Sequence, residues 1–131
     1  MLQTTPTQID LGHTLVFKRA DGLIQVNGGN HEYNVSQIKE IHQSINQLND
    51  GYKALVLLTT QEFTLIDLES KQFLSKPEAG QYSIAEAYVI QSLSQRLILN
   101  FLFKVMGTPV PAKFFTDIEA AANWLKFFEK N

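Results

Sequence analysis

The chain has 131 residues, of which 44% are hydrophobic and 18% charged, with no cysteine and a formal net charge of −2. That length suits a single domain, residues 1–131, with its own core, and the composition is that of a globular protein rather than a disordered or membrane-embedded one. The missing cysteines exclude disulfides and thiolate metal sites, and a slightly acidic chain whose one adjacent basic pair is Lys18-Arg19 excludes a nucleic-acid-binding face.

The first fourteen residues, MLQTTPTQIDLGHT, carry neither a charged leader nor a continuous apolar run, so secretion is not expected and a cytoplasmic location is. The segment HTLVFKRADGLIQVNGG then reads as a β-hairpin. Apolar residues alternate through Leu15, Phe17, Leu23 or Ile24, and Val26, and Asp21-Gly22 supplies the tight turn. Gly28-Gly29-Asn30 marks a second turn, with a short extended piece over His31 to Asn34. Val35, Ile38, Ile41, Ile45 and Leu48 recur at spacings of three and four, which predicts a helix over 35–49, capped by Asn34 with Gln37 three residues on.

KALVLLTT is a continuous β-branched apolar run, the pattern of a strand covered on both faces. A helix is predicted over 64–76 with Thr64 as its cap, broken at Pro77 and Gly80, and SIAEAYVIQS is a second buried strand. SQRLILNFLFKVMG, capped by Ser92, is a helix ending at Gly107. AKFFT is a last strand, and Thr116-Asp117-Ile118-Glu119 opens a final helix running to about Glu129. A hairpin followed by alternating elements with short links implies an α/β fold, with a mixed sheet of about five strands and about four helices.

The chemistry-bearing residues form no catalytic pattern. His13, His31 and His42 lack metal-ligand spacing, and Gly28-Gly29 is not followed by the Lys-Ser/Thr of a phosphate loop. Ser44, Ser70, Ser75 and Ser92 have no local base partner, Asp67 and Glu69 point to different helix faces, and Asp117 and Glu119 suit a helix first turn. The reading is therefore of a non-catalytic protein without cofactor or metal.

ALVLL, TLIDLESKQF, AEAYVI, Ser94 to Phe103 and PAKFFTDIEAAANWL together resemble the STAS-like domains of uncharacterised bacterial proteins, over about Lys53 to Phe128. These share a fold with anti-sigma-factor antagonists and, more loosely, with CRAL-TRIO lipid-transfer domains. The resemblance implies a STAS-like topology and a small regulatory or binding module. In the antagonists a phosphorylated serine opens the helix after the central strand. Here Ile66-Asp67-Leu68-Glu69-Ser70 matches that stretch, with Leu68 at the serine position and no glycine following, which leaves Ser70 as the nearby phosphorylation candidate.

The most apolar helix poses the functional question. Arg96 and Lys104 interrupt it too often for a membrane span, which needs about 20 apolar residues. At 100° per residue Leu97, Ile98, Phe101, Leu102 and Val105 form the core face, leaving Leu99 and Phe103 outward beside Arg96 and Ser92. Either the last helix covers those two with Trp124 and Phe127, or they belong to an exposed surface for a second copy or a protein partner. The alternative is a cleft beside Ser92–Met106 for a lipid or other apolar ligand.

Overall fold

In a computed structural model, residues 6–129 are described; the outermost residues of the expected 1–131 domain lie outside that range. The strands are β1 (Gln8–Asp10), β2 (Thr14–Lys18), β3 (Ile24–Gly28), β4 (Glu32–Tyr33), β5 (Ala54–Thr59), β6 (Leu65–Ile66), β7 (Ser83–Val89) and β8 (Ala112–Phe115). The helices are α1 (Val35–Leu48), α2 (Leu68–Leu74), α3 (Leu93–Phe101) and α4 (Ile118–Lys126). A 3₁₀ turn covers Pro77–Gly80, and a π turn, Leu102–Met106, continues α3. The class expected from the sequence is the one observed: α/β, four helices, an N-terminal hairpin and a mixed sheet, here of six strands.

The strands lie in the order β1-β2-β3-β5-β7-β8, antiparallel through the hairpin and parallel from β3 onward. β5 is central because ALVLLT offers apolar side chains to both faces. One face packs on α4, where Leu55, Leu57, Ala85, Ala87 and Val89 meet Ala121, Ala122 and Leu125; the small alanines on both sides allow close approach. The other face carries α1 over Val16, Ile24, Val26 and Val56. It also carries α2 and α3 over Tyr88 and Ile90. Within the hairpin, Thr14 and Val16 turn to the α1 core, and Leu15 and Phe17 are half-buried.

Capping follows the sequence closely in α1, where Asn34 Oδ1 accepts from Gln37 N–H and Gln37 Oε1 accepts from Asn34 N–H. Two starts move. α4 is capped by Asp117, whose carboxylate accepts from Ala120 N–H, rather than by Thr116. α2 begins at Leu68 under an Asp67 cap, not at Thr64, because Leu65–Ile66 pair in parallel with Glu32–Tyr33. That pairing is non-local and leaves no trace in local periodicity. At the start of β8 the chain passes close to the 3₁₀ turn: a Cβ on Gly80 would lie 2.8 Å from Pro109 Cγ.

Candidate functional site

α3 is rotated relative to its sequence-predicted phase, and this correction defines the site. Leu99 is 8% exposed and Leu102 3%, whereas Leu93, Leu97, Phe101 and Val105 are 69%, 61%, 47% and 70% exposed. Leu99, expected to face a partner, faces the sheet. Phe103 is half-buried against Tyr88 and Phe114, with ring centroids 5.7 and 6.2 Å away. Nor does α4 cover either residue: it lies on the far face of the sheet, with Trp124 against Phe115 and Phe128 and with Phe127 exposed.

Gln95 explains the rotation. Its side chain is buried, accepts from Gln91 N–H and Thr60 Oγ1, and donates to the carbonyls of Gln61 and Thr64 at 2.6 and 3.0 Å. A buried amide that satisfies loop carbonyls fixes which side of α3 faces inward, since leaving those groups unpaired costs about 1–3 kcal/mol each. Ser92 caps the helix through its Oγ and is half-buried. Arg96 is exposed and lies over the Phe114 ring at 5.8 Å.

Beneath α3, between the helices and the sheet, is a cavity of about 130 Å³. Val56, Leu58 and Glu86 contribute to its floor, Ile41 and His42 of α1 to one wall, and Leu99 and Leu102 to its roof. The lining is overwhelmingly apolar. Strand register places Glu86 between Val56 and Ala112, and Tyr88 between Leu58 and Phe114, in adjacent rows of the same sheet face. Ser83 Oγ donates to Glu86 Oε2 and Tyr88 OH to Oε1, each at 2.8 Å. Glu86 and Tyr88 are deeply placed yet retain some accessible surface, because that surface faces the cavity.

Burial pushes the Glu86 carboxyl above its ordinary range, against the opposing pull of the two hydroxyl donors. Burial and the adjacent Glu86 push the Tyr88 phenol well above its usual value, so it stays a hydroxyl. Burial likewise lowers His42 to about 4, outweighing the attraction of Glu78, so at neutral pH its ring is uncharged. Sequence reasoning passed over Glu86 and Tyr88. The available signal was a glutamate inside AEAYVI, a strand read as buried.

The remaining candidates do not join this site. Ser70 is fully buried in the first turn of α2, and its hydroxyl donates to the Tyr33 carbonyl, so no phosphate can be added there without opening the helix. His13 and His31, distant in sequence, meet at Tyr33: His31 stacks on its ring at 3.9 Å, and His13 bridges Glu40 and Thr14. Thr14 is 3% exposed and hydrogen-bonded to Tyr33, so this Glu-His-Thr line holds the hairpin to α1 and offers no nucleophile. Among the described residues no group of three or more His, Cys, Asp or Glu is arranged to hold a metal ion, and no helix is long and apolar enough to cross a membrane.

The family profile described as a domain of unknown function, DUF7793, matches residues 18–129. The chain belongs to that family. The matched span runs from the end of β2 to the residues just after α4, so it contains every wall of the cavity. No curated protein and no solved structure matches the chain. The DUF7793 profile assigns no activity, and the cavity is the feature from which function must be argued.

Proposed function

We propose that this chain is a non-catalytic binding module that takes a small, largely apolar ligand in the cavity under α3. The observation that carries the reading is the cavity itself: about 130 Å³ of apolar space at the centre of the helix layer. Native interiors are close-packed, and voids larger than a water molecule are few. An engineered apolar cavity of about 150 Å³ in another protein stays dry and binds benzene or xenon, so this volume suits one ring or a short branched chain. The resemblance to STAS-like and lipid-transfer domains, and a cytoplasmic location, form part of the same proposal. Benzene titrated into the purified protein should bind saturably and raise the unfolding midpoint, and Leu99→Phe, which fills the roof, should abolish binding while leaving the chain folded. Absence of saturable binding to the folded wild type would refute the reading.

A second reading is favoured by a different surface. Leu93, Leu97, Phe101 and Val105 form an exposed apolar ridge at every fourth position of α3 and its π turn. Ridges of that spacing interdigitate when two helices cross at about −50°, and a two-fold dimer would pack the ridge against its own copy. This retains the self-association expected from the sequence but moves it from Leu99 and Phe103 to the opposite side of the helix. Sedimentation should show a dimer for wild type and a folded monomer for the double variant Leu97→Glu/Phe101→Glu. A wild-type monomer throughout the micromolar range rules the dimer out.

A further inference from the structure

We infer that the cavity selects ligands bearing an ammonium or other cationic nitrogen, received by Glu86; this rests on the ligand-binding reading and narrows it to a chemical class.

Most polar hydrogens at the cavity wall are already committed to protein acceptors. Thr59 and Thr64 donate to the Asn27 amide oxygen and the Gly29 carbonyl, and the one Thr60 hydroxyl hydrogen is shared between the Val89 carbonyl and Gln95 Oε1. Tyr33 donates to the His13 carbonyl, and the Gln95 amide to loop carbonyls. Tyr88 donates to Glu86, and so does Ser83 behind it. Among the described lining residues, what remains unused at the floor is lone-pair capacity. Each Glu86 oxygen accepts one hydrogen bond and can accept another, and the Tyr88 oxygen accepts none that the structure shows. The one basic lining side chain is His42 of α1, whose ring is uncharged at neutral pH, and the remaining titratable groups there besides Glu86 are the phenols of Tyr33 and Tyr88. No lysine or arginine is among the lining residues.

A carboxylate held at the floor of an apolar chamber, oriented by two hydroxyl donors and facing no cation, is an incomplete ion pair. Its retention there disfavours folding unless something compensates, because a buried charge needs a partner. A ligand that brings an ammonium group provides that partner together with N–H donors for the unused lone pairs, and its hydrocarbon body meets Val56, Leu58, Leu99 and Leu102. A carboxylate or fully ionised phosphate would instead place acceptor against acceptor.

Benzylamine, toluene and benzoate form a matched set of probes of about the right size. At about pH 8 benzylamine should bind roughly ten- to a hundredfold more tightly than toluene, the range expected for one hydrogen bond to a charged group, and benzoate should bind more weakly than toluene. Glu86→Gln should remove the benzylamine preference and leave toluene binding in place. If Glu86→Gln does not fold, the wild type decides. The Glu86 carboxyl carbon, followed by NMR, should titrate at lower pH with saturating benzylamine and should not do so with toluene. Toluene binding without a benzylamine preference, or a preference for benzoate, overturns the cationic selectivity while leaving the binding reading intact. Failure of all three probes to bind overturns both.

Discussion

Leu99→Ala is expected to destabilise the fold by about 2–3 kcal/mol, while Leu97→Ala, two residues earlier, shifts stability by less than about 0.5 kcal/mol. Both are leucines on one helix, so propensity cancels and the contrast reports which side faces the core. Leu99 is 8% exposed and packs in the cluster with Ile90 and Leu102, whereas Leu97 is 61% exposed. The figure for Leu99 sits in the lower part of the range for buried Leu→Ala because one side of it already borders empty space. Urea unfolding of the two variants checks this directly. Equal losses, or a larger loss at Leu97, would restore the helix phase that polarity alone suggests. The same measurement bears on function, since Leu99→Ala enlarges the cavity and should admit a bulkier ring than the wild type accepts.

His42 gives the second large effect, on the acid side. Its imidazole titrates at about 4 in the folded chain against 6.5 for the free group, with burial as the main cause. The folded value is depressed, so between these limits the unfolded chain holds a proton that the native chain does not. Stability therefore falls as pH drops from 6.5 toward 4, by about 3 kcal/mol over the window, and is level in this respect above it. Glu86 works in the opposite sense. Its carboxyl is raised by burial, so the native chain takes up its proton first, and acid favours the fold as pH falls through that raised value. His42→Leu should flatten the loss between pH 6.5 and 4 and leave the Glu86 contribution visible as a slight gain. Unfolding free energies of wild type and variant at several pH values test it: parallel curves would show that His42 is solvated in the native state. Leucine suits the position, which borders Phe73 at 5.9 Å.

The contrast between α1 and α3 shows where sequence reasoning succeeds and where it stops. α1 has a polar side and an apolar side, a complete capping box at Asn34 and Gln37, and a clear end at Asn49-Asp50-Gly51, so its limits and its inward apolar residues were legible, though the buried Ser44 was not. α3 is amphipathic as well, but its most apolar side, Leu93, Leu97 and Phe101, is the exposed one, so the pattern that locates the core in α1 points the wrong way here. The rule that polar side chains face water then misplaced Gln95, which is internal because the 61–64 loop brings carbonyls to it. The π turn at Leu102–Met106 adds a further shift that a constant 100° per residue cannot follow. The strands were easier, since β5 and β7 are compact apolar runs. A cleft beside Ser92–Met106 is implied by the lipid-transfer resemblance alone, since no local pattern encodes a gap between elements.

That cavity draws its wall from Val26 on β3 as far along the chain as Leu102. The β2–β3 hairpin closes over a short turn, but β5 and β7 join in parallel only after intervening segments have crossed over, so their contacts are far apart in sequence. The space is lined by β3, β5, β6 and β7 together with α1, α2 and α3, so it forms only when elements far apart in the chain have come together. An occupant therefore acts on the equilibrium of the whole domain and not on one element. At a free concentration one hundred times its dissociation constant it would add about 2.7 kcal/mol to the unfolding free energy. If the proposed ligand binds, the empty chain would be the form that opens and meets proteases, and ligand supply would set how long each molecule persists.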